Sequence, residues 1–113
     1  SMFWDWNTGY IMAKLEGHSP QSTGPANFIG FHLGGFSGPE SVLREGTLTF
    51  PEPVLISAGK KPVIHIKSNL LEWFGPPNIV DFSEINIIMG PGLTSSKIAD
   101  NYAAMFTISH IHK

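Results

Sequence analysis

Histidine and tryptophan are the side chains of this sequence whose chemistry could serve a function. The chain of 113 residues contains 5 histidines, 3 tryptophans and no cysteine. A metal ion would therefore be held by imidazole, thioether, carboxylate or carbonyl groups, since a thiolate site requires cysteine. An imidazole-based site without thiolates suits copper or zinc best.

Two histidines near the C-terminus are candidate metal ligands. His110 and His112 lie in the segment 107–113, which alternates in polarity and is predicted to be the final strand. Side chains two positions apart on a strand share a face at a separation of about 7 Å, so both rings could reach one metal ion by leaning inward. The alternative is a polar strand end with two solvated imidazoles.

His32 is the third candidate ligand. It lies beside Gly30, on the face opposite the predicted core side chains of its strand, where the missing side chain of glycine leaves room. A hydrogen-bonded structural histidine is an equally good interpretation of this position. His18 in a loop and His65 in mid-strand are predicted to be ordinary surface histidines.

The tryptophans Trp4 and Trp6 form the second chemical feature. They are two positions apart, so in an extended chain their rings share a face, next to Asp5 and Asn7. Such a pair could anchor a core, because indoles bury a large area. It could also stack on a sugar, pack on a further strand, or act as a redox-active pair.

Composition and motifs argue against several classes of protein. The net charge is −2 and the seven basic residues are scattered, which does not favour nucleic-acid binding. There is no run of 18 apolar residues long enough to predict a membrane-spanning helix. Neither a nucleophile elbow, a phosphate-binding loop nor a zinc-protease motif occurs, so we expect a binding protein and not an enzyme.

The pattern of polar and apolar residues predicts a mainly β, antiparallel β-sandwich, immunoglobulin-like or similar, with one or two short helices. A single domain spans residues 1–113. The abrupt aromatic start before the first strand suggests an incomplete sandwich, whose open edge favours homo-oligomers or strand exchange. We predict strands at 10–16, 27–33, 46–50, 53–57, 62–67 and 107–113. A helical turn is expected after Ser68, and a helix at 95–106 capped by Ser95 or Ser96. The segment 83–89 could be a strand or a helix.

Four short stretches together resemble one known family. They are WDWNTGY at 4–10, KLEG at 14–17, FHLGG at 31–35 and ADNYAAMF at 99–106. The sequence resembles the MbnP family, copper-binding β-sandwich proteins of bacteria that are encoded beside a di-haem cytochrome of the MauG type. Family members usually have a substantial portion before the tryptophan motif, so the resemblance implies that this chain corresponds to the larger, C-terminal part of the family domain.

The resemblance also implies a mechanism. In this family a partner protein, similar to di-haem cytochrome c peroxidases, oxidises a tryptophan to kynurenine, and copper binds nearby through histidines. Carried over, Trp4 or Trp6 would be modified and His32 would be a ligand, while strand geometry adds His110 or His112. The same resemblance implies a periplasmic or extracellular location, with a lipoprotein as a further form of the full-length protein.

Two other functions fit the same residues. A carbohydrate-binding β-sandwich could use Trp4, Trp6 and Trp73 as a stacking platform. A structural or interaction domain would instead pack these aromatic rings against further strands. Mass spectrometry and the burial of the indoles discriminate between the three hypotheses.

Overall fold

The computed structural model describes residues 2–5 and 9–113, with Trp4 and Asp5 described by their backbone alone. Its order of elements confirms a mainly β fold with one α-helix. Among the described residues, four strands form one sheet in the order β1-β2-β3-β5, and β4 pairs with β6 in a second sheet. The elements are β1 (Phe3–Asp5), β2 (Gly9–His18), β3 (Phe28–Gly34), β4 (Val63–Ser68), β5 (Ile87–Met89), α1 (Leu93–Tyr102) and β6 (Phe106–His112), with 3-10 turns at Pro25–Asn27 and Leu70–Phe74.

The larger sheet is mixed. Strand β2 pairs antiparallel with both β1 and β3, whereas β3 pairs parallel with β5. Along β3 the side chains of Ile29, Phe31 and Leu33 point to one face and are almost fully buried, with exposed fractions of 6%, 0% and 0%. The predicted core face of this strand is confirmed, and its alternate residues therefore lie on the outer face.

Helix α1 and the second 3-10 turn cover the inner face of the larger sheet. Ile98 and Ala99 of α1 and Trp73 of the turn are buried against the core side chains of β3. The predicted helix is confirmed but begins earlier, after Gly92, so Ser95 and Ser96 are buried inside it and do not cap it. No helix in the described part of the chain is long and apolar enough to cross a membrane.

Asn101 joins α1 to the turn before it through three hydrogen bonds. Its side chain is fully buried; it accepts a bond from the backbone N–H of Asn78 at 2.8 Å and donates to the carbonyl oxygens of Asn78 and Trp73 at 2.7 and 2.9 Å. The side chain thereby provides hydrogen-bond partners for three backbone groups. A buried amide with all its partners in place fixes the position of the helix on the sheet.

Replacing Asn101 by alanine is expected to lower the free energy of unfolding by about 2–4 kcal/mol, because buried donors and acceptors lose their partners. Urea unfolding followed by circular dichroism measures this change. The exposed residue Lys97 on the same helix provides the control, and Lys97→Ala should stay within about 0.5 kcal/mol. A loss below about 1 kcal/mol for Asn101→Ala would contradict the assigned role.

The segment 35–62 differs from the prediction. The strands expected at 46–50 and 53–57 are absent; in the described chain this segment forms only an isolated bridge between Ser57 and Lys60. Pro51 and Pro53 remove two backbone donors, and the structure offers these residues no neighbouring strand to pair with. Apolar alternation alone could not reveal that the pairing partner was missing.

Arg44 and Val42 fasten the beginning of this segment to α1. Val42 is buried in the core, and the Arg44 guanidinium donates to Asp100 Oδ1 and to the Ser96 carbonyl oxygen at 2.9 and 3.0 Å. The hydroxyl of Tyr102 donates to the Val42 carbonyl oxygen, and burial raises the pKa of this phenol, which keeps it protonated as a donor. These contacts order a long irregular connection where it crosses the core.

Strands β4 and β6 form a ribbon with little cover. All six residues of β4 are exposed, including Ile64 at 43% and Ile66 at 55%. The radius of gyration is 17.3 Å, against about 13 Å for a compact domain of this length. Because an isolated two-stranded ribbon is marginally stable in water, an apolar face such as this favours association. The expected homo-oligomer or strand exchange stays a prediction.

Candidate metal site

His32 lies in the middle of the larger sheet, on its outer face. Strand β3 places it opposite Lys14 of β2 on one side and Met89 of β5 on the other. Strand alternation explains the position, since Phe31 and Leu33 on either side of it point into the core. The imidazole is therefore held on a rigid, twice-paired strand, and its side chain is only 15% exposed.

The Nε2 atom of His32 is buried and has no hydrogen-bond partner among the described residues. The nearest carboxylate oxygen is Oε2 of Glu16, at 3.5 Å. That separation permits a weak ion pair if the ring is protonated, but it exceeds a well-formed hydrogen bond. Buried polar atoms usually have partners, so an unpaired ring nitrogen is the atom of this face best suited to bind a ligand.

Apolar side chains cover the sheet beside His32. A Cβ atom on Gly30 would lie 2.6 Å from Cε1 of Phe28 and 3.4 Å from the methyl carbon of Met89. The Phe28 ring and the Met89 methyl group therefore rest on the bare backbone of Gly30. The ring of His18 meets Phe28 edge-on at a centroid distance of 5.8 Å. These side chains therefore lie on the same outer face of the sheet as His32.

Replacing Gly30 by alanine is expected to lower the free energy of unfolding by about 1–3 kcal/mol, since the added methyl group overlaps the Phe28 ring. Thermal unfolding measures the effect. Gly17→Ala is the matched control, because a Cβ at that position meets Ile29 at an ordinary 3.9 Å. Equal stability of the two variants would show that the ring does not rest on Gly30.

The backbone of Trp4 lies near the start of β2, away from His32. Trp6 is outside the described residues, and the backbone of Trp4 lies in β1 between the pairs Phe3–Tyr10 and Asp5–Gly9. His32 is opposite Lys14, four residues further along β2 than Tyr10, or about 13 Å at the usual rise per residue. That an indole and His32 share one site stays a prediction. It requires the indole and the imidazole to extend toward each other across this distance.

His110 and His112 lie on the ribbon, not on the sheet that contains His32. Strand pairing places His110 opposite His65 and His112 opposite Val63, so the two histidines share a face as the spacing predicted. The described residues contain no group of three or more His, Cys, Asp or Glu side chains arranged to hold a metal ion. Their assignment to one site with His32 is untested and stays a prediction.

The sequence did not single out Glu16, Met89 or His65. Glu16 and Met89 approach His32 only through the register of β2 and β5 on β3, and His65 approaches His110 through the register of β4 on β6. These pairings join residues that are far apart in the chain. The polar alternation of β2 was the one local signal, since it already placed Glu16 on the outer face.

Trp73 does not belong to an exposed stacking platform. Its side chain is 4% exposed, and its indole N–H points to the sulfur of Met105 at 3.3 Å. The hypothesis that this residue stacks on a carbohydrate is therefore wrong. Its burial follows from the 3-10 turn, whose N-cap Asn69 accepts from the N–H of Leu71 and turns the indole toward α1.

A large cavity lies elsewhere, between β2, the 42–48 segment and the start of the ribbon. Its volume is about 780 Å³, and its wall includes Met12, Leu48, Ile66 and Phe106. The guanidinium of Arg44, at the edge of the cavity, donates to the carbonyl oxygens of Ser41 and Ser96 and to the carboxylate of Asp100. The described wall contains neither histidine nor carboxylate, so this cavity suits apolar groups and not a metal ion.

The chain is a small, mainly β domain. On the outer face of its larger sheet, the imidazole of His32 has a buried Nε2 atom without a hydrogen-bond partner among the described residues. The family model of MbnP matches residues 1–90 of the chain, and the chain therefore belongs to the MbnP family. The matched range contains Trp4, Trp6 and His32, whereas β6 with His110 and His112 follows it. No curated protein and no solved structure matches the chain.

Proposed function

We propose that this chain is a copper-binding protein in which His32 is a ligand and Trp4 or Trp6 is oxidised to kynurenine. The observation that supports it best is the buried, unpaired Nε2 atom of His32 in a member of the MbnP family. The protein binds its metal and does not turn over a substrate. Whether His110 and His112 complete the copper site is part of the same prediction.

The groups around His32 fit copper. Imidazole binds copper in either common oxidation state, and a thioether such as that of Met89 favours the cuprous ion. Glu16 adds a carboxylate at the rim of the site, 45% exposed and 3.5 Å from the ring nitrogen. Bound copper would supply a soft Lewis acid, while the chain's own strand β3, paired on both sides, holds the His32 imidazole in place.

The proposed modification requires an oxidant from outside the chain. Conversion of an indole to kynurenine breaks the C2–C3 bond, adds two oxygen atoms, and then loses the formyl carbon as formate by hydrolysis. Two molecules of hydrogen peroxide would be the oxidant: with a partner's haem as the catalyst, each would give one oxygen atom to the indole and leave as one molecule of water. A di-haem cytochrome of the MauG type is the proposed partner, acting in the periplasm or outside the cell.

Mass spectrometry of the protein produced together with such a cytochrome tests the proposal. We expect the peptide containing Trp4 and Trp6 to carry the mass change of one kynurenine, and protein produced without the cytochrome to lack it. The variants Trp4→Phe and Trp6→Phe identify the modified residue, since only one of them should abolish the change. Unmodified tryptophan in the presence of an active cytochrome would contradict the proposal.

A further inference from the structure

A pair of stacked imidazoles lies on the exposed ribbon. His65 of β4 is paired directly with His110 of β6, with ring centroids 3.9 Å apart and planes within 15° of parallel. Both residues are exposed, so burial in the core does not force the rings together. No hydrogen bond within the described chain engages the ring nitrogens of His65, which leaves them open to a ligand.

A β-bulge lies next to the His65–His110 pair. The pairs His65–His110 and Ile66–Ile108 enclose one extra residue on β6, which is Ser109. Bulges redirect side chains and occur preferentially next to functional sites. The Ser109 hydroxyl lies 3.1 Å from Nδ1 of His110. In the tautomer that donates this proton to the hydroxyl, Nε2 has a free lone pair, as in most metal-binding histidines.

We propose that His65 and His110 form a second metal site, which takes a divalent ion of the zinc or copper class and is separate from His32. This assignment replaces the predicted role of His110 at the copper site, because β6 and β3 belong to different sheets. Two imidazole nitrogens that bind one such ion lie about 3.0–3.4 Å apart, given metal–nitrogen distances near 2.0–2.1 Å. The ring centroids are already 3.9 Å apart, but the planes are nearly parallel, so both side chains must rotate until a nitrogen lone pair of each ring points at one shared ion. The described residues provide no group of three ligands here, so water completes the coordination.

Calorimetric titration with Zn²⁺ tests this site. Wild-type protein should show a binding event that His65→Ala and His110→Ala each weaken at least tenfold. The double variant should lose no more than either single variant, because both rings bind one ion. His18→Ala is the matched control, since His18 is also exposed on a strand but meets Phe28 edge-on and has no second imidazole beside it among the described residues. Circular dichroism establishes that the variants remain folded.

Three outcomes would overturn the second site. They are the absence of Zn²⁺ binding by wild-type protein, unchanged binding by His65→Ala, and unchanged binding by His110→Ala. The His32→Ala variant separates this inference from the proposed copper site, because it should keep the event assigned to the ribbon. The ribbon site can therefore fail while copper binding at His32 holds, and the reverse can also occur.

Discussion

Replacing His32 by alanine is expected to weaken copper binding at least about 100-fold. Loss of a group that merely orients a metal ligand commonly costs 10–100-fold in affinity, and His32 is proposed to be a ligand itself. Its Nε2 atom is buried and unpaired among the described residues, and the alanine variant removes it. Competition titration of cytochrome-treated protein against a cuprous chelator measures the change.

Two further variants make this result specific. His18→Ala removes an imidazole from the same outer face but leaves Nε2 of His32 untouched, and it should keep the wild-type copper affinity. His32→Met keeps a soft ligand at the position and should recover part of the affinity that alanine loses. Copper affinity of His32→Ala equal to that of wild-type protein, with the fold intact, would remove His32 from the site.

Replacing Phe31 by alanine is expected to cost about 3–5 kcal/mol of stability. The side chain is fully buried, and its ring lies 6.1 Å from that of Phe74 and 6.2 Å from that of Phe82, measured between centroids. The cavity left by alanine cannot be filled by these rings, which already pack edge to face at 4.9 Å. Such a loss approaches the whole stability of a typical domain, about 5–15 kcal/mol.

Urea unfolding compares this variant with Phe50→Ala. Phe50 is 41% exposed in the irregular 35–62 segment, so its replacement should change stability by less than about 1 kcal/mol. Since Phe31 is the neighbour of His32 on β3, loss of the core side chain should also loosen the metal ligand. Nearly equal stability of the two variants would contradict the placement of β3 at the centre of the core.

The strands that bury one face could be predicted from the sequence. In β2 and β3 each second residue is apolar, and Ile11, Ile29 and Leu33 are buried as this alternation requires. The 53–57 segment shows the limit of the same reasoning. Its residues Leu55 and Ile56 are apolar yet 70% and 80% exposed, because strand formation depends on a pairing partner that local sequence does not encode.

The candidate site could be predicted only in part. The position of His32 beside Gly30 was readable from one strand, and so was the shared face of His110 and His112. The neighbours of these histidines follow from strand register between distant segments, and the β-bulge at Ser109 shifts that register by one residue. Sequence spacing could therefore identify candidate histidines but not the residues beside them.

Nitrogen-15 NMR of the histidine rings during titration with Cu(I), which is diamagnetic, tests the copper site most directly. The account predicts that one equivalent of copper shifts the Nε2 resonance of His32 and leaves the ring nitrogens of His18 unchanged. Saturation of the protein with copper while the His32 resonances stay at their copper-free positions would contradict it.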